Sequence, residues 1–288
     1  MPNTASIRAR QIKTPCDITK VKFISLPSTI GVPSGGRYNQ YAPQCLAGVG
    51  RGIQRQIAIR VGKCPTPETP CGAIDITSIA TYDGVNTYTL NDNYTITECQ
   101  ILNIPVGTTL LITGGKTLTN SGIINNSNGT INNYSSTIQN NGTINNSSIS
   151  IIFNYGGTFT NNTGGTINNS GYIYNQTSGI FNNSGTFNNS GFLYNTGGGG
   201  VTINNSGFIY TYGSGAIFNN PGGTFNNNTG GFIYTYGGGS IYNDGGATIN
   251  NNTGGTISTS NGGACGAGTY TGVGTTNNSG TINTNCPP

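Results

Sequence analysis

The chain has 288 residues, of which 48 are glycine and only 6% are charged, and it contains neither histidine nor tryptophan. About a quarter of the residues of an ordinary globular domain are charged, so this composition argues against a typical enzyme. The hydrophobic residues, 33% of the chain, are mostly Ile, Phe, Tyr and Val, which favour β-strands.

Residues 1–72 form a basic segment punctuated by prolines. All of the Lys and Arg residues except Lys116 precede residue 64, where Asp17 is the only acid. We predict a small, irregular, β-rich anchoring or assembly module, because positive patches steer many kinds of association. Nucleic-acid binding is the less favoured hypothesis. The candidate assembly residues are Arg8, Arg10, Lys13, Lys20, Lys22 and Phe23.

The same region lacks an apolar run of signal-peptide length, and no stretch of the sequence reaches the ~20 apolar residues that span a bilayer. We therefore expect no membrane span.

Cysteines cluster towards the two ends of the sequence. Five of them in the first hundred residues of a histidine-free chain favour disulfide bonds over reduced thiols. The spacing of Cys64 and Cys71 and the lack of histidine argue against a metal site, and we expect no cofactor. Because their number is odd, one thiol stays free or joins another subunit. The seven are Cys16, Cys45, Cys64, Cys71, Cys99, Cys265 and Cys286.

Residues 73–108 alternate Ile, Thr and Tyr, and a repeated phrase follows from about Thr109. The phrase occurs as GTINNSG at 165–171, GTFNNSG at 185–191 and ATINNNTGG at 247–255. Its apolar residues lie mostly six to eight apart, and GFIYTYG at 207–213 returns after 24 residues at 231–237. One short strand and one corner per step, with three strands per turn, account for both spacings.

The pattern predicts an all-β fold, a three-faced parallel β-solenoid over 73–260, in which stacked coils bury a continuous apolar column. Roughly 150 residues of clear repeat would give six or seven coils, and a rod near 30 Å long at about 4.8 Å per coil. Asn-Asn pairs are expected at the corners, because Asn tolerates the left-handed conformation and its amide can bond an identical amide one coil away. The predicted core includes Ile144, Phe159, Ile167, Phe187, Ile203, Phe225 and Ile249.

Residues 261–288 break the rhythm, and we interpret them as a C-terminal cap with a candidate bridge between Cys265 and Cys286. The ends of a solenoid expose unpaired strand edges. The terminal modules are therefore expected either to cap the rod or to join subunits head to tail.

The segment ILNIPVGTTLLITGGKTLTNSGIINNSNGTINN at 101–133 resembles the Asn/Gly/Thr-rich β-solenoid repeats of giant-virus and algal-virus virion proteins and of microbial surface fibres or adhesins. The resemblance covers roughly 100–285. It implies a fibre, spike or adhesive role at an extracellular or virion surface.

A structural subunit of a self-assembling fibre is therefore the predicted function, and catalysis is not expected. After Lys116 the only acidic or basic side chain is Asp244, in an Asp-Gly turn, which leaves acid–base chemistry without a partner. Ice binding by threonine arrays is one alternative.

Glycan binding by exposed tyrosines is the other alternative, set against a ladder of tyrosines stacked from coil to coil. These are Tyr172, Tyr174, Tyr194, Tyr210, Tyr212, Tyr234 and Tyr236. Sequons at Asn125, Asn168, Asn182, Asn188 and Asn204 permit glycosylation without indicating it.

Overall fold

The computed structural model describes residues 72–259, 269–272 and 274–283. The chain divides into two units, and all of these residues belong to the second, Pro70–Pro288. Apart from a 3-10 turn at Ile76–Ser78, the regular structure in the described ranges is β-strand. The strands form three long sheets, here called walls A, B and C, and each coil passes through walls C, A and B in turn. The predicted all-β, three-faced parallel solenoid is confirmed.

The walls contain ten, ten and nine strands respectively. Wall A is built from Gly72–Ile74, Gln100–Ile104, Ile123–Asn126, Thr143–Asn146, Thr166–Asn169, Thr186–Asn189, Phe208–Tyr212, Phe232–Tyr236, Thr256–Thr259 and Thr281–Asn283. Wall B is built from Ala80–Tyr82, Thr87–Leu90, Thr109–Ile112, Thr130–Tyr134, Ile151–Tyr155, Tyr172–Gln176, Phe192–Thr196, Ala216–Asn219, Ser240–Asn243 and Thr269–Gly272. Wall C is built from Tyr94–Ile96, Thr117–Asn120, Thr137–Asn140, Thr158–Asn161, Ile180–Asn183, Val201–Asn205, Gly223–Asn227, Thr248–Asn251 and Thr275–Asn278.

The four-residue phrase Thr-Ile-Asn-Asn explains the local structure. Side chains alternate across a strand, so Ile and the second Asn point inward while Thr and the first Asn point outward. The strand Thr166–Asn169 shows this pattern, with Ile167 and Asn169 buried and the two residues between and before them half-buried. β-branched Thr and Ile favour the extended backbone, and the Ser-Gly that follows makes the corner.

Residues of the same type stack in register along each wall. In wall C, Phe159 pairs with Ile138 on one side and with Phe181 on the other. The rings of Phe159 and Phe181 meet edge to face at 5.2 Å, a favoured aromatic geometry. All seven predicted core residues lie in the resulting apolar cluster, each with no more than 1% of its surface exposed. The column also contains Ile152, Leu193 and Ile217 of wall B.

The N-terminal end of the solenoid departs from the parallel pattern. Wall B begins with Ala80–Tyr82 paired antiparallel to Thr87–Leu90, whereas residues 73–108 were expected to form the N-terminal coils of the parallel solenoid, with less regular sequence. The turn between these strands is held by Asp83, whose carboxylate accepts the backbone N–H groups of Val85, Asn86 and Thr87. These bonds, that from Thr87 above all, lower the pKa of Asp83. Ile76 and Ile79 beside this hairpin are buried in the core cluster.

The C-terminal boundary also differs from the prediction. Thr269–Gly272, Thr275–Asn278 and Thr281–Asn283 pair in parallel with the last strands of walls B, C and A. The described part of the predicted cap is therefore a further coil, because the final Thr-Ile-Asn phrase repeats the strand pattern. With nine or ten strands per wall, the rod is about 40–45 Å long, longer than the expected 30 Å.

Candidate functional site

The candidate site is the outer surface of the walls, since the inner surface is filled by the core. The six residues proposed for assembly, from Arg8 to Phe23, lie outside the described residues. The same holds for every cysteine except Cys99, which takes part in a disulfide bond. The other predicted pairings stay predictions.

Inside the walls, the inward-facing asparagines, which lie two residues after the core Ile, Leu or Phe in nearly every strand, form three ladders that run along the rod. In each, the side-chain Nδ2 donates to the Oδ1 of the Asn one coil nearer the C-terminus, at 2.7–2.9 Å. All of these amides except that of the last residue, Asn278, are buried, and most also donate to backbone carbonyls, as Asn183 does to Phe208. The ladders comprise Asn120, Asn140, Asn161, Asn183, Asn205, Asn227, Asn251 and Asn278 in wall C; Asn126, Asn146, Asn169 and Asn189 in wall A; and Asn133, Asn154, Asn175, Asn195, Asn219 and Asn243 in wall B.

The predicted bond between identical amides is thus confirmed, but the expected left-handed backbone is wrong for these asparagines. The described non-glycine residues with positive φ are Asn128, Ser135, Thr177 and Ser178, none of which is in a ladder. The ladder asparagines are extended strand residues. Their amides, and not their backbone tolerance, explain why Asn recurs.

Each ladder begins where a buried isoleucine gives way to asparagine. Ile96, Ile104 and Ile112 precede the first ladder residues of walls C, A and B in register. The Oδ1 atoms of those first residues are buried and lack a hydrogen-bond donor. A buried acceptor without a donor costs about 1–3 kcal/mol. Each ladder carries this cost once, at its first residue, however many coils it spans.

The wall A ladder stops at Asn189, because Thr211 and then Thr235 occupy the next positions in register. Both threonines are fully buried, and their Oγ1 atoms have no hydrogen-bond partner. In wall A, the inward position therefore changes from Asn to Thr in the same two coils in which the outward positions become aromatic.

In walls A and C, outward-facing asparagines form outer ladders with the opposite polarity. Asn188 donates through Nδ2 to Asn168 Oδ1 of the preceding coil, at 2.9 Å, and Asn204 donates in the same way to Asn182. Four of the five sequon asparagines donate through Nδ2 to the Oδ1 of an asparagine in the preceding coil. The fifth, Asn182, donates weakly to Thr160 Oγ1, at 3.5 Å. Glycosylation there would disrupt these bonds.

Wall B carries a column of aromatic rings on its outer surface. Phe153, Tyr174, Tyr194, Phe218 and Tyr242 stack with centroids 4.8–5.1 Å apart and planes within 8–21° of parallel. Burial raises the pKa of Tyr174 and of Tyr194 above 10.0, and neighbouring tyrosines add to the shift. The rings cover one another's faces, as a coil-to-coil ladder requires, which leaves their edges outward.

Wall A carries a second aromatic group, here called the terrace: Phe208, Tyr210, Tyr212, Phe232, Tyr234 and Tyr236. Its rings do not form one stack. The planes of Phe208 and Tyr210 are 2° from parallel, with centroids 6.2 Å apart, but the ring of Phe232 is tilted by 59° to both. Tyr236, in contrast, stacks against Tyr212 and Tyr234, at 5.5 and 5.0 Å. Phe208 is 48% exposed.

Wall C carries a rank of threonines. Register pairs join Thr137 to Thr117 and Thr158, and Thr224 to Thr202 and Thr248; Ile180 interrupts the rank between its two halves. From Asn182 onward, the neighbouring outward position is an outer-ladder Asn.

Charge contributes little to these surfaces, because Asp244 is the one acidic or basic side chain between residue 117 and the end of the sequence. It is exposed, and its carbonyl accepts the N–H of Ala247 in a turn. Within the described ranges, no three His, Cys, Asp or Glu side chains group closely enough to hold a metal ion. No helix there is long and apolar enough to cross a membrane.

No family model matches the sequence, and no curated protein matches it. A similar solved structure is a TibC-catalysed hyper-glycosylated fragment of TibA, with 19% sequence identity, a TM-score of 0.20, and coverage of 69% of this chain and 93% of that chain. At this TM-score the similarity carries no argument about function.

Proposed function

We propose that the chain is a structural subunit of a surface fibre, in which the solenoid is the rigid shaft and residues 1–72 anchor it or join it to the next subunit. The observation that carries this proposal is the continuity of the interior. The apolar column and the wall C amide ladder run from coil to coil through most of the shaft.

Continuity matters because each coil of a solenoid contacts only its neighbours. In this chain, adjacent coils share parallel backbone pairs, buried apolar contacts and amide–amide bonds. Bending the shaft requires all of these to stretch on one side at once. The arrangement therefore supports a stiff spacer, a role that needs no reactive group.

Self-assembly, a location outside the cell or on a virion, and the lack of catalytic activity are parts of the same proposal. Disulfides among the terminal cysteines would fix the anchoring modules in such a setting. The basic N-terminal segment would supply the contact between subunits, by strand addition to an exposed wall edge.

Electron microscopy of the negatively stained full-length chain tests the proposal. We expect filaments or end-to-end oligomers whose number rises with concentration, and their loss when residues 1–30 are deleted. Circular dichroism of the shortened chain should still report β-structure. Full-length molecules that stay single short rods at every concentration would contradict the assembly role.

Ice binding is a second candidate because wall C presents a threonine rank. It is weaker, because the adjacent outward position is asparagine in five consecutive coils from Asn182 to Asn277, and those amides bond to one another along the rod. A second rank of free hydroxyl groups is therefore missing over that part of wall C. A thermal-hysteresis assay without activity would remove this candidate.

A further inference from the structure

We infer that the terrace on wall A is a binding platform for a neutral carbohydrate chain. This inference rests on the proposed surface role and adds a ligand to it. Three features of the terrace carry the argument: uncovered ring faces, a hydrogen-bond acceptor left by the end of the outer ladder, and the lack of nearby charge.

The first feature is that Phe208 and Tyr210 have no stacked ring in a neighbouring coil, unlike the rings of the wall B column and unlike Tyr212, which stacks on Tyr236. Before the terrace, Phe208 and Tyr210 pair in register with Thr186 and Asn188, whose side chains carry no ring. After it, Phe232 and Tyr234 pair with the similarly small Thr256 and Ser258. The terrace is therefore bounded by short polar side chains on both sides, of which Ser258 is itself buried, so the open border is the one beside Phe208 and Tyr210.

The tilt between its two strands adds to this exposure. Phe232 meets Phe208 and Tyr210 at 59°, so the parallel pair does not lose its faces to a stacked neighbour in the next coil. The face of an aromatic ring is electron-rich and attracts positively polarised groups. The C–H groups on the flat side of a sugar ring are of this kind.

The second feature is the end of the outer amide ladder at Asn188. Its Nδ2 donates to Asn168, but Tyr210 occupies the position from which the next Asn would donate to Asn188 Oδ1. Among the described residues, no side chain donates to that oxygen. An amide acceptor thus lies one coil from the Tyr210 ring, where it can accept a sugar hydroxyl.

The third feature is the absence of charge on the terrace and its borders, since Asp244 is the one Asp, Glu, Lys or Arg residue after Lys116. An ionic ligand would find no counter-charge there. A ligand with apolar C–H faces and neutral hydroxyl groups fits, and a neutral glycan has both. The terrace spans about 13 Å along each five-residue strand, room for a short run of sugar rings.

Wall B is the matched surface on which the same residue types should not bind. Its rings are stacked with planes as close as 8°, so their faces contact one another. The sequence places tyrosines on both walls and cannot tell them apart. The ring tilts separate the terrace from the ladder.

Native gel electrophoresis through gels that contain β-glucan, mannan or xylan tests the inference. The binding variant is F208T/Y210N, which copies Thr186 and Asn188 of the preceding coil and so keeps a strand pattern that the solenoid already uses. The control is Y194N, which removes a ring from the wall B column.

We expect at least one of these neutral polysaccharides to retard the wild-type chain. F208T/Y210N should bind it at least about tenfold more weakly, on the scale of losing a main aromatic contact. Y194N should bind within about twofold of wild type. Alginate, an anionic polysaccharide, should retard wild type and F208T/Y210N equally, because the basic N-terminal segment carries that interaction.

The inference is overturned if no neutral polysaccharide retards the wild-type chain, or if F208T/Y210N and Y194N weaken retardation equally. It is also overturned if sedimentation velocity shows that F208T/Y210N removes self-association while retardation persists, since the terrace would then contact a second copy of the chain. Filament formation is scored separately by microscopy, so loss of the fibre role and loss of glycan binding are distinguishable.

Discussion

Replacing Asn205 with alanine is expected to destabilise the solenoid by about 3–5 kcal/mol. The side chain is fully buried, donates to Asn227 Oδ1 at 2.8 Å and accepts from Asn183 Nδ2 at 2.8 Å. Loss of two such bonds costs about 2 kcal/mol net, and the buried Asn227 Oδ1 left without a donor adds about 1–3 kcal/mol. Asn183 Nδ2 still donates to the Phe208 carbonyl, so it adds no further orphan.

The neighbouring residue supplies the control. Asn204 also makes two ladder bonds, accepting from Asn226 Nδ2 and donating to Asn182 Oδ1, both at 2.9 Å, but it faces outward. Water can replace both bonds, so N204A should cost no more than about 1 kcal/mol.

Urea unfolding followed by circular dichroism gives the free energy of unfolding of N205A and of N204A, and we expect the m-value to be the same for both. Hydrogen exchange should show lost protection near coils Ile180–Asn227 in N205A. Equal costs for the two variants would refute the claim that buried amides, and not amide stacking in general, stabilise the shaft.

Three further predictions use single substitutions. G191A should cost several times more stability than G198A in urea unfolding, because a Cβ at Gly191 would overlap a backbone carbonyl of the preceding coil, whereas nothing lies within 4 Å at Gly198; equal midpoints would contradict this. T211V should leave stability unchanged or raise it by about 1 kcal/mol, since the buried hydroxyl has no partner, and a clear loss in the thermal midpoint would indicate a hidden hydrogen bond. Burial raises the pKa of Tyr194 above 10.0, so this tyrosine ionises first in the unfolded chain. Its contribution to stability is intact below pH 10.0 and is lost as the pH rises from there through the folded-state pKa. The urea midpoint of Y194F should therefore decline less over that range than the midpoint of the wild type.

Much of the fold could be predicted because the repeated phrase fixes both the strand period and the coil period. The spacing of apolar residues places Phe181, Ile203 and Phe225 in one column, and the structure pairs them in register. The inward second Asn was predictable in principle. It lies two residues after a core Ile, and side chains on a strand alternate with a period of two.

Other features depend on contacts that the sequence pattern does not encode. Alternation of Ile, Thr and Tyr indicates strands but not their direction, so the antiparallel pair at Ala80–Tyr82 was missed. Ring tilts depend on packing between coils, which is why tyrosines of the terrace and of wall B looked equivalent. The shaft was underestimated because its first and last coils lack the full phrase.

The inward and outward positions of each strand are under different constraints, and this separation explains how one shaft carries three different surfaces. The inward positions repeat Ile, Phe or Leu followed by Asn through most coils, because each must match the coil before and after it. Outward positions need to match only along their own wall, so wall B carries rings, wall C threonines and asparagines, and wall A changes from amides to rings after Asn188. At that change the inner ladder of wall A also ends, with Asn189 followed in register by Thr211. The two surfaces of the strand change together at the coil where the terrace begins. The inner ladders of walls B and C continue past this coil, so they hold the terrace coils in register where wall A has no inner ladder.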